Sequence, residues 1–168
     1  MGIQLGIIGY GGMGGFHHRN ASRIEGVQVI GAYDTDPVRV HAAEKNGIKG
    51  FSTLEELLSC DEINTVLVAV PNDKHMELCV EAANAGKHVI CEKPVAMNVR
   101  ELDQMIAAAG RNGKIFTVHQ NRRWDKDFRI VKKILDSGEL GKVYSIQSRL
   151  HGSGGVMFGW RGEKKHGG

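Results

Sequence analysis

The chain is poor in the residues that staple or stiffen small folds, with 3 cysteines and 3 prolines in 168 residues. Cys60, Cys79 and Cys91 are odd in number, sit in separate apolar patterns and show no Cys-x-x-Cys spacing. That excludes a disulfide frame or a cysteine zinc site and predicts reduced thiols. No run of eighteen apolar residues occurs, so no membrane-spanning helix is expected. The first residues lead straight into an apolar pattern, without the basic region, apolar stretch and cleavage site of a secretion signal, so the expected compartment is cytoplasmic. A formal charge of +3, scattered along the chain, lacks the basic face that nucleic-acid binding needs. Among 8 histidines only His17 and His18 are adjacent. Neighbouring helical side chains diverge and no carboxylate cluster joins these two, so no metal site is expected.

What is present is ordinary for a globular protein, 41% hydrophobic and 24% charged, in a length that suits one domain and part of another. Apolar runs alternate with helical patterns. The expected strands are Ile3 to Ile8, Val27 to Tyr33, Lys49 to Phe51, Thr65 to Val70, His88 to Cys91 and Ile115 to His119. Runs such as Val66-Leu67-Val68-Ala69-Val70 are apolar on both faces, as parallel strands covered above and below must be. Met76, Cys79, Val80 and Ala83 recur at helical spacing, as do Leu102, Met105, Ile106 and Ala109. Thr53 with Glu56, and Asn98 with Glu101, read as helix starts; Gly86, Gly110 and Gly113 read as exits. Strand and helix alternating with short connections predict an α/β fold, a doubly wound parallel sheet whose ligands bind at the carboxyl ends of the strands.

The first such end carries Gly9-Tyr10-Gly11-Gly12-Met13-Gly14, between a strand and a helix pattern. In a dinucleotide-binding unit the first glycine allows the tight turn, the second lets backbone approach a pyrophosphate, and the third lets the helix pack on the sheet. Helix amides then face the phosphates. Asp34 ends the second strand, twenty residues after Gly14, where a carboxylate accepts the hydroxyls of an adenine ribose. NAD is therefore expected over NADP. Arg39 is the nearby residue that would meet a 2′-phosphate, but Asp34 and Asp36 would repel that group, so Arg39 is read as a solvated helix residue.

Two further strand ends carry chemistry. One is Pro71-Asn72-Asp73-Lys74-His75, and the other is Glu92-Lys93-Pro94. Pro94 biases Lys93 toward extended backbone at the mouth of the cleft. A lysine that is partly desolvated and near a cationic nicotinamide can have its pKa lowered even beside an acid, and then exchange a proton with a hydroxyl as hydride leaves the same carbon. The plain alternative is a surface lysine paired with Glu92. His119 is read as a strand-end core residue.

After Gln120 the rhythm changes. Asp125 to Ser137 reads as an amphipathic helix with Phe128, Val131 and Leu135 inward. Lys142 to Leu150 alternates, Tyr144, Ile146 and Leu150 on one face, which predicts a half-exposed antiparallel strand opening a second sheet. His151 to Gly168 is glycine-rich.

The glycine motif, Asp34, Pro71 to His75, Glu92-Lys93-Pro94 and Asn121-Arg122-Arg123, in this order, resemble the Gfo/Idh/MocA oxidoreductase family. The resemblance implies an NAD(P)-dependent enzyme acting on sugars, inositols or related polyols. It also implies a dinucleotide-binding Rossmann domain over residues 1–120 and the incomplete start of a C-terminal substrate and oligomerisation domain over 121–168. Glu92 and Lys93 match the family's EKP signature, whose lysine approaches nicotinamide and substrate. Pro71, Asn72 and His75 match the cofactor-side loop, and Asn121 and Arg122 match the segment leading to the substrate domain. Trp160-Arg161 resembles a Trp-Arg pair near the cofactor. The implied cofactor contacts are thus Gly9, Tyr10, Gly11, Gly12, Met13, Gly14, Asp34, Pro71, Asn72, His75, Glu92, Lys93, Asn121, Trp160 and Arg161, with Lys93 catalytic and Lys93 and Arg122 facing a small polyol or sugar-like substrate.

Typical members are longer and continue to a segment supplying an aspartate and a histidine, whereas this sequence stops at Lys165-His166-Gly167-Gly168. The expectation is a catalytically incomplete fragment, cut at its glycine-rich end, or a natural short product. The unpartnered strand predicts self-association, a homo-oligomer, or disorder beyond about Gly141. The competing reading is a non-catalytic NAD-binding regulatory module, which needs the glycine motif but no downstream histidine.

Overall fold

Six strands, all parallel, make one sheet in the order β3-β2-β1-β4-β5-β6. They are β1 (Ile3–Ile8), β2 (Val27–Tyr33), β3 (Lys49–Phe51), β4 (Thr65–Val68), β5 (His88–Cys91) and β6 (Phe116–Val118). The helices are α1 (Gly12–Ala21), α2 (Pro37–Lys45), α3 (Leu54–Leu58), α4 (His75–Asn84), α5 (Val99–Arg111) and α6 (Lys126–Ser137). The computed structural model describes residues 2–149, 151 and 159–166. The doubly wound sheet expected from the sequence is therefore present. β4 is two residues shorter than expected, and β6 is trimmed by one residue at each end.

The two-residue repeat of the strands divides the core into two layers. Ile8, Val66, Val68 and Val89 pack with Leu57, Cys79, Ala82, Met105 and Ala108 on one side. Ile7, Leu67, Val29 and Ala32 pack with Tyr10, Ala43 and Ile48 on the other. Neighbouring residues Ile7 and Ile8 thus serve opposite layers, as alternating side chains require.

Local signals hold the elements in place. Thr53 and Glu56 form a reciprocal capping box at α3, and the Asn98 side chain accepts the Glu101 amide at α5. Gly86 and Gly113 leave their helices with positive φ, whereas Gly110 lies inside α5 rather than at its exit. Ile106 is exposed although its spacing placed it with the apolar stripe; Met105, Ala108 and Ala109 form the buried face.

The region beyond Gln120 departs from expectation. The helix appears as α6, but Phe128 and Val131 are exposed and Leu135 is only half-buried. The strand read at Lys142 to Leu150 is absent: residues 142–149 make no ladder, and Leu150 lies outside the described residues. Alternation supplies a strand's faces but not its hydrogen-bonding neighbour, and none of the described residues offers one.

Candidate functional site

Strand order reverses beside β1, which has β2 on one side and β4 on the other, so connections leave these strands in opposite directions and open a crevice at their carboxyl ends. The glycine segment lies at that opening. Gly9 has φ +91°, and a side-chain carbon there would strike the Ala69 carbonyl. A side-chain carbon at Gly14 would collide with the Gly9 carbonyl oxygen, so α1 approaches the loop only because this residue is glycine. Around Gly12 there is open space. Gly11 caps α1 with no side-chain hydrogen bond, and the first turn carries no acid. Its amides therefore have no side-chain oxygen to satisfy them, which suits a phosphate group.

Asp34 is buried at the tip of β2. Its Oδ2 accepts the Tyr10 amide at 2.8 Å and its Oδ1 accepts the Asp36 amide at 2.9 Å, fixing the carboxylate beside the glycine loop. Arg39 reaches Asp34 Oδ2 at 3.4 Å and Asp36 at 3.6 Å. It is thus a paired residue at the loop rather than a merely solvated one. Tyr10 contributes its backbone to this corner while its ring is core. The hydroxyl donates to Nδ1 of His18 at 2.7 Å, and burial, then Arg19, holds His18 below its ordinary pKa as a neutral acceptor. Met13 is half-buried in the first turn of α1.

Across the crevice, Pro71 and buried Asn72 begin the turn after β4. His75 is fully buried, with Nδ1 2.9 Å from the Pro94 carbonyl and Nε2 3.0 Å from that of Val70. Burial works against its charge, but the Cys91 sulfur and these two carbonyls outweigh it and hold His75 above its ordinary value. The ring therefore ties the β4 and β5 tips together instead of lining the opening, a different place from the cofactor contact expected of it. Cys60, Cys79 and Cys91 are all free thiols.

Glu92 and Lys93 follow β5, and the Lys93–Pro94 peptide is cis. Lys93 is exposed at the strand tip. Its backbone amide, not its ammonium, meets Glu92, at 3.0 Å from Oε2, and no ion pair engages the ammonium among the described residues. Glu92 Oε1 accepts from two imidazoles, His17 Nε2 at 2.5 Å and His119 Nδ1 at 3.0 Å. Burial raises the Glu92 pKa, but the bonds from His17 and the Lys93 amide, with the neighbouring imidazoles, bring it down to about 2. Its carboxylate is thus fully engaged by protein donors. His17 and His18 do diverge, one toward Glu92 and the other toward Tyr10, but a carboxylate distant in sequence joins His17 after all.

The later candidates are less gathered. Asn121 is exposed in the turn after β6, and Arg122, also exposed, donates to Asp125 at 2.9 Å. Trp160 lies 6.4 Å from the His166 ring, and His166 binds Asp73 at 2.7 Å, which brings this segment against the turn after β4. The Arg161 side chain lies outside the described residues. The partners of Glu92 were missed in the sequence because His119 reads as an ordinary strand-end residue. The usable signal was register: Cys91 pairs with Val118, so Glu92 and His119 are the next two positions along neighbouring strands.

Comparison with known proteins agrees with this fold. A family model described as an oxidoreductase family with an NAD-binding Rossmann fold, Gfo/Idh/MocA, matches residues 3–120. The chain belongs to that family. Inositol 2-dehydrogenase of Salmonella typhimurium is 32% identical over 161 residues, 93% of this chain and 48% of that protein. Among solved structures, an NAD-binding protein from Listeria innocua is 42% identical with a TM-score of 0.95, covering 100% of this chain and 50% of that one. The WlbA dehydrogenase from Bordetella pertussis, in complex with NADH and UDP-GlcNAcA, is 27% identical with a TM-score of 0.81, covering 86% and 45%. This Gfo/Idh/MocA chain spans about half the length of the curated relatives it matches. No helix of the described residues is long and apolar enough to cross a membrane.

Proposed function

We propose that the whole protein is an NAD-dependent dehydrogenase that takes hydride from a secondary alcohol carbon of a sugar, inositol or related polyol. One observation carries the reading: the open, uncapped start of α1, the fixed carboxylate of Asp34 and the free ammonium-bearing side chain of Lys93 all sit at the carboxyl ends of one parallel sheet. The inositol dehydrogenase among the relatives supports the substrate class. When bound, NAD supplies the hydride acceptor. The glycine segment holds its pyrophosphate, Asp34 holds the adenosine ribose and favours NAD over NADP, and Pro71, Asn72, Asn121, Trp160 and Arg161 border the remainder. Lys93 takes the hydroxyl proton as the carbon becomes a carbonyl. Arg122 faces substrate from the start of a second domain over residues 121–168, which also joins copies of the protein.

The test is Lys93→Met in the full-length protein, assayed with NAD against a panel of polyols. Turnover should fall at least about 100-fold while NAD affinity stays within a factor of about two. Near-normal turnover would remove Lys93 from the chemistry, and loss of NAD affinity would make it a binding residue instead.

A further inference from the structure

At the carboxyl end of β5 the described residues contain one place where nitrogen and carboxylate donors from three separate elements converge. His17 Nε2, a Glu92 carboxylate oxygen and a His119 ring nitrogen all lie within 4.8 Å of one another. We propose that His17, Glu92 and His119 form a binding site for one divalent transition cation of the zinc type. This goes beyond the dehydrogenase reading and does not depend on it.

Backbone geometry places the donors independently of any ion. Glu92 and His119 follow paired residues Cys91 and Val118 on neighbouring parallel strands, and the His119 amide continues the ladder to the Cys91 carbonyl at 2.8 Å. His17 comes from the second turn of α1, which Gly14 seats against the sheet. The rings of His17 and His119 meet edge to face, 4.6 Å between centroids, with Glu92 between their inner nitrogens. The second Glu92 oxygen is held by the Lys93 amide, so the carboxylate is oriented from behind as an outer-shell bond orients a metal ligand.

The donor set selects the ion. Two imidazoles and one carboxylate, with room for a water, suit zinc, cobalt or nickel, whereas calcium and magnesium favour oxygen alone. Metal bonds of about 2.0 to 2.2 Å set neighbouring donors on one ion roughly 3 Å or more apart, so His17 and Glu92, now 2.5 Å apart, must draw apart to admit it. To bind, each imidazole must move its inner proton to the outer nitrogen. Neither outer nitrogen has a hydrogen-bond partner among the described residues, so that shift breaks no other bond. The cation would replace two N–H groups around a carboxylate that is already buried and ionised. His119 is 31% exposed and leaves a way in.

The experiment uses the chain, stripped by chelator and titrated with Co²⁺, whose visible absorption reports nitrogen and oxygen ligation, with Zn²⁺ as competitor. One equivalent of Co²⁺ should develop the absorption, and zinc should displace it. His119→Gln can still donate a hydrogen bond to Glu92 but offers no imidazole; it should weaken binding at least about tenfold and abolish the zinc-induced rise in Tm. His166→Ala removes a described histidine that faces two carboxylates away from the cluster, Asp73 at 2.7 Å and Glu163 at 3.9 Å, and should leave binding unchanged. Circular dichroism verifies that both variants are folded; should His119→Gln not fold, His17→Gln takes its place with the same expected loss. Absence of a cobalt signal, a signal that survives loss of the imidazole, or one lost in His166→Ala would each overturn the proposal and leave a hydrogen-bonded cluster only.

Discussion

Helices α5 and α6 are near twins in sequence pattern, 13 and 12 residues long, each with apolar side chains at three- and four-residue spacing. In α5 that stripe buries Met105, Ala108 and Ala109 against the sheet and α4. In α6 the same kind of stripe leaves Phe128, Ile130, Val131 and Ile134 exposed, with no buried residue in the helix. Periodicity therefore determines where a helix forms and which face is apolar, but burial depends on a partner that the pattern does not contain. The parallel sheet is that partner for α5. For α6 none of the described residues plays the part.

The comparison is broken most strongly at Met105, which is 1% exposed. Met105→Ala removes a buried side chain and leaves a cavity beneath α5, and should destabilise the chain by about 3 kcal/mol, read from urea unfolding with circular dichroism. A loss under about 1 kcal/mol would mean that the α5 face is packed no better than that of α6.

The same contrast explains how far the sequence could be read. Glycines 9 and 14 were legible because the backbone itself demands them, one through its positive φ and the other through helix–loop contact. Asp34 was legible because it ends a strand at a fixed distance from that loop. His119 was not, since its role depends on the register between β5 and β6, and His75 was misplaced because sequence does not reveal that both its ring nitrogens meet buried carbonyls. The reading at Lys142 to Leu150 failed for the reason that α6 stands bare: alternation predicts a face, and a ladder needs a second strand.

A polar contact sharpens the comparison from inside the partnered region. His75 donates from both nitrogens only when protonated, which matches its raised pKa; the titratable groups behind it are Cys91 and Cys79. His75→Leu leaves the Val70 and Pro94 carbonyls without this donor and should cost about 2 kcal/mol near pH 6. A folded pKa above the ordinary 6.5 means the charge contributes fully below that value and is lost as pH rises through the folded pKa. The stability gap between parent and variant should therefore narrow from pH 6 to pH 9. A gap that widens with pH would show that the neutral ring is the stabilising form.

The smallest effect belongs to α6. Ile134 is 42% exposed, so Ile134→Ala in this chain loses little burial and gains intrinsic helix propensity, and the net change should lie within about 0.5 kcal/mol. The helix has its own local support, a Lys132–Asp136 pair one turn apart and a left-handed Gly138 at its end, neither of which needs the apolar face. In a longer protein that covers this face, the identical substitution should cost about 2 kcal/mol or more. Urea unfolding of both lengths, with and without the change, separates the helix's own stability from what a partner adds. Equal small effects in the two lengths would mean that the apolar face of α6 remains bare even in the longer protein.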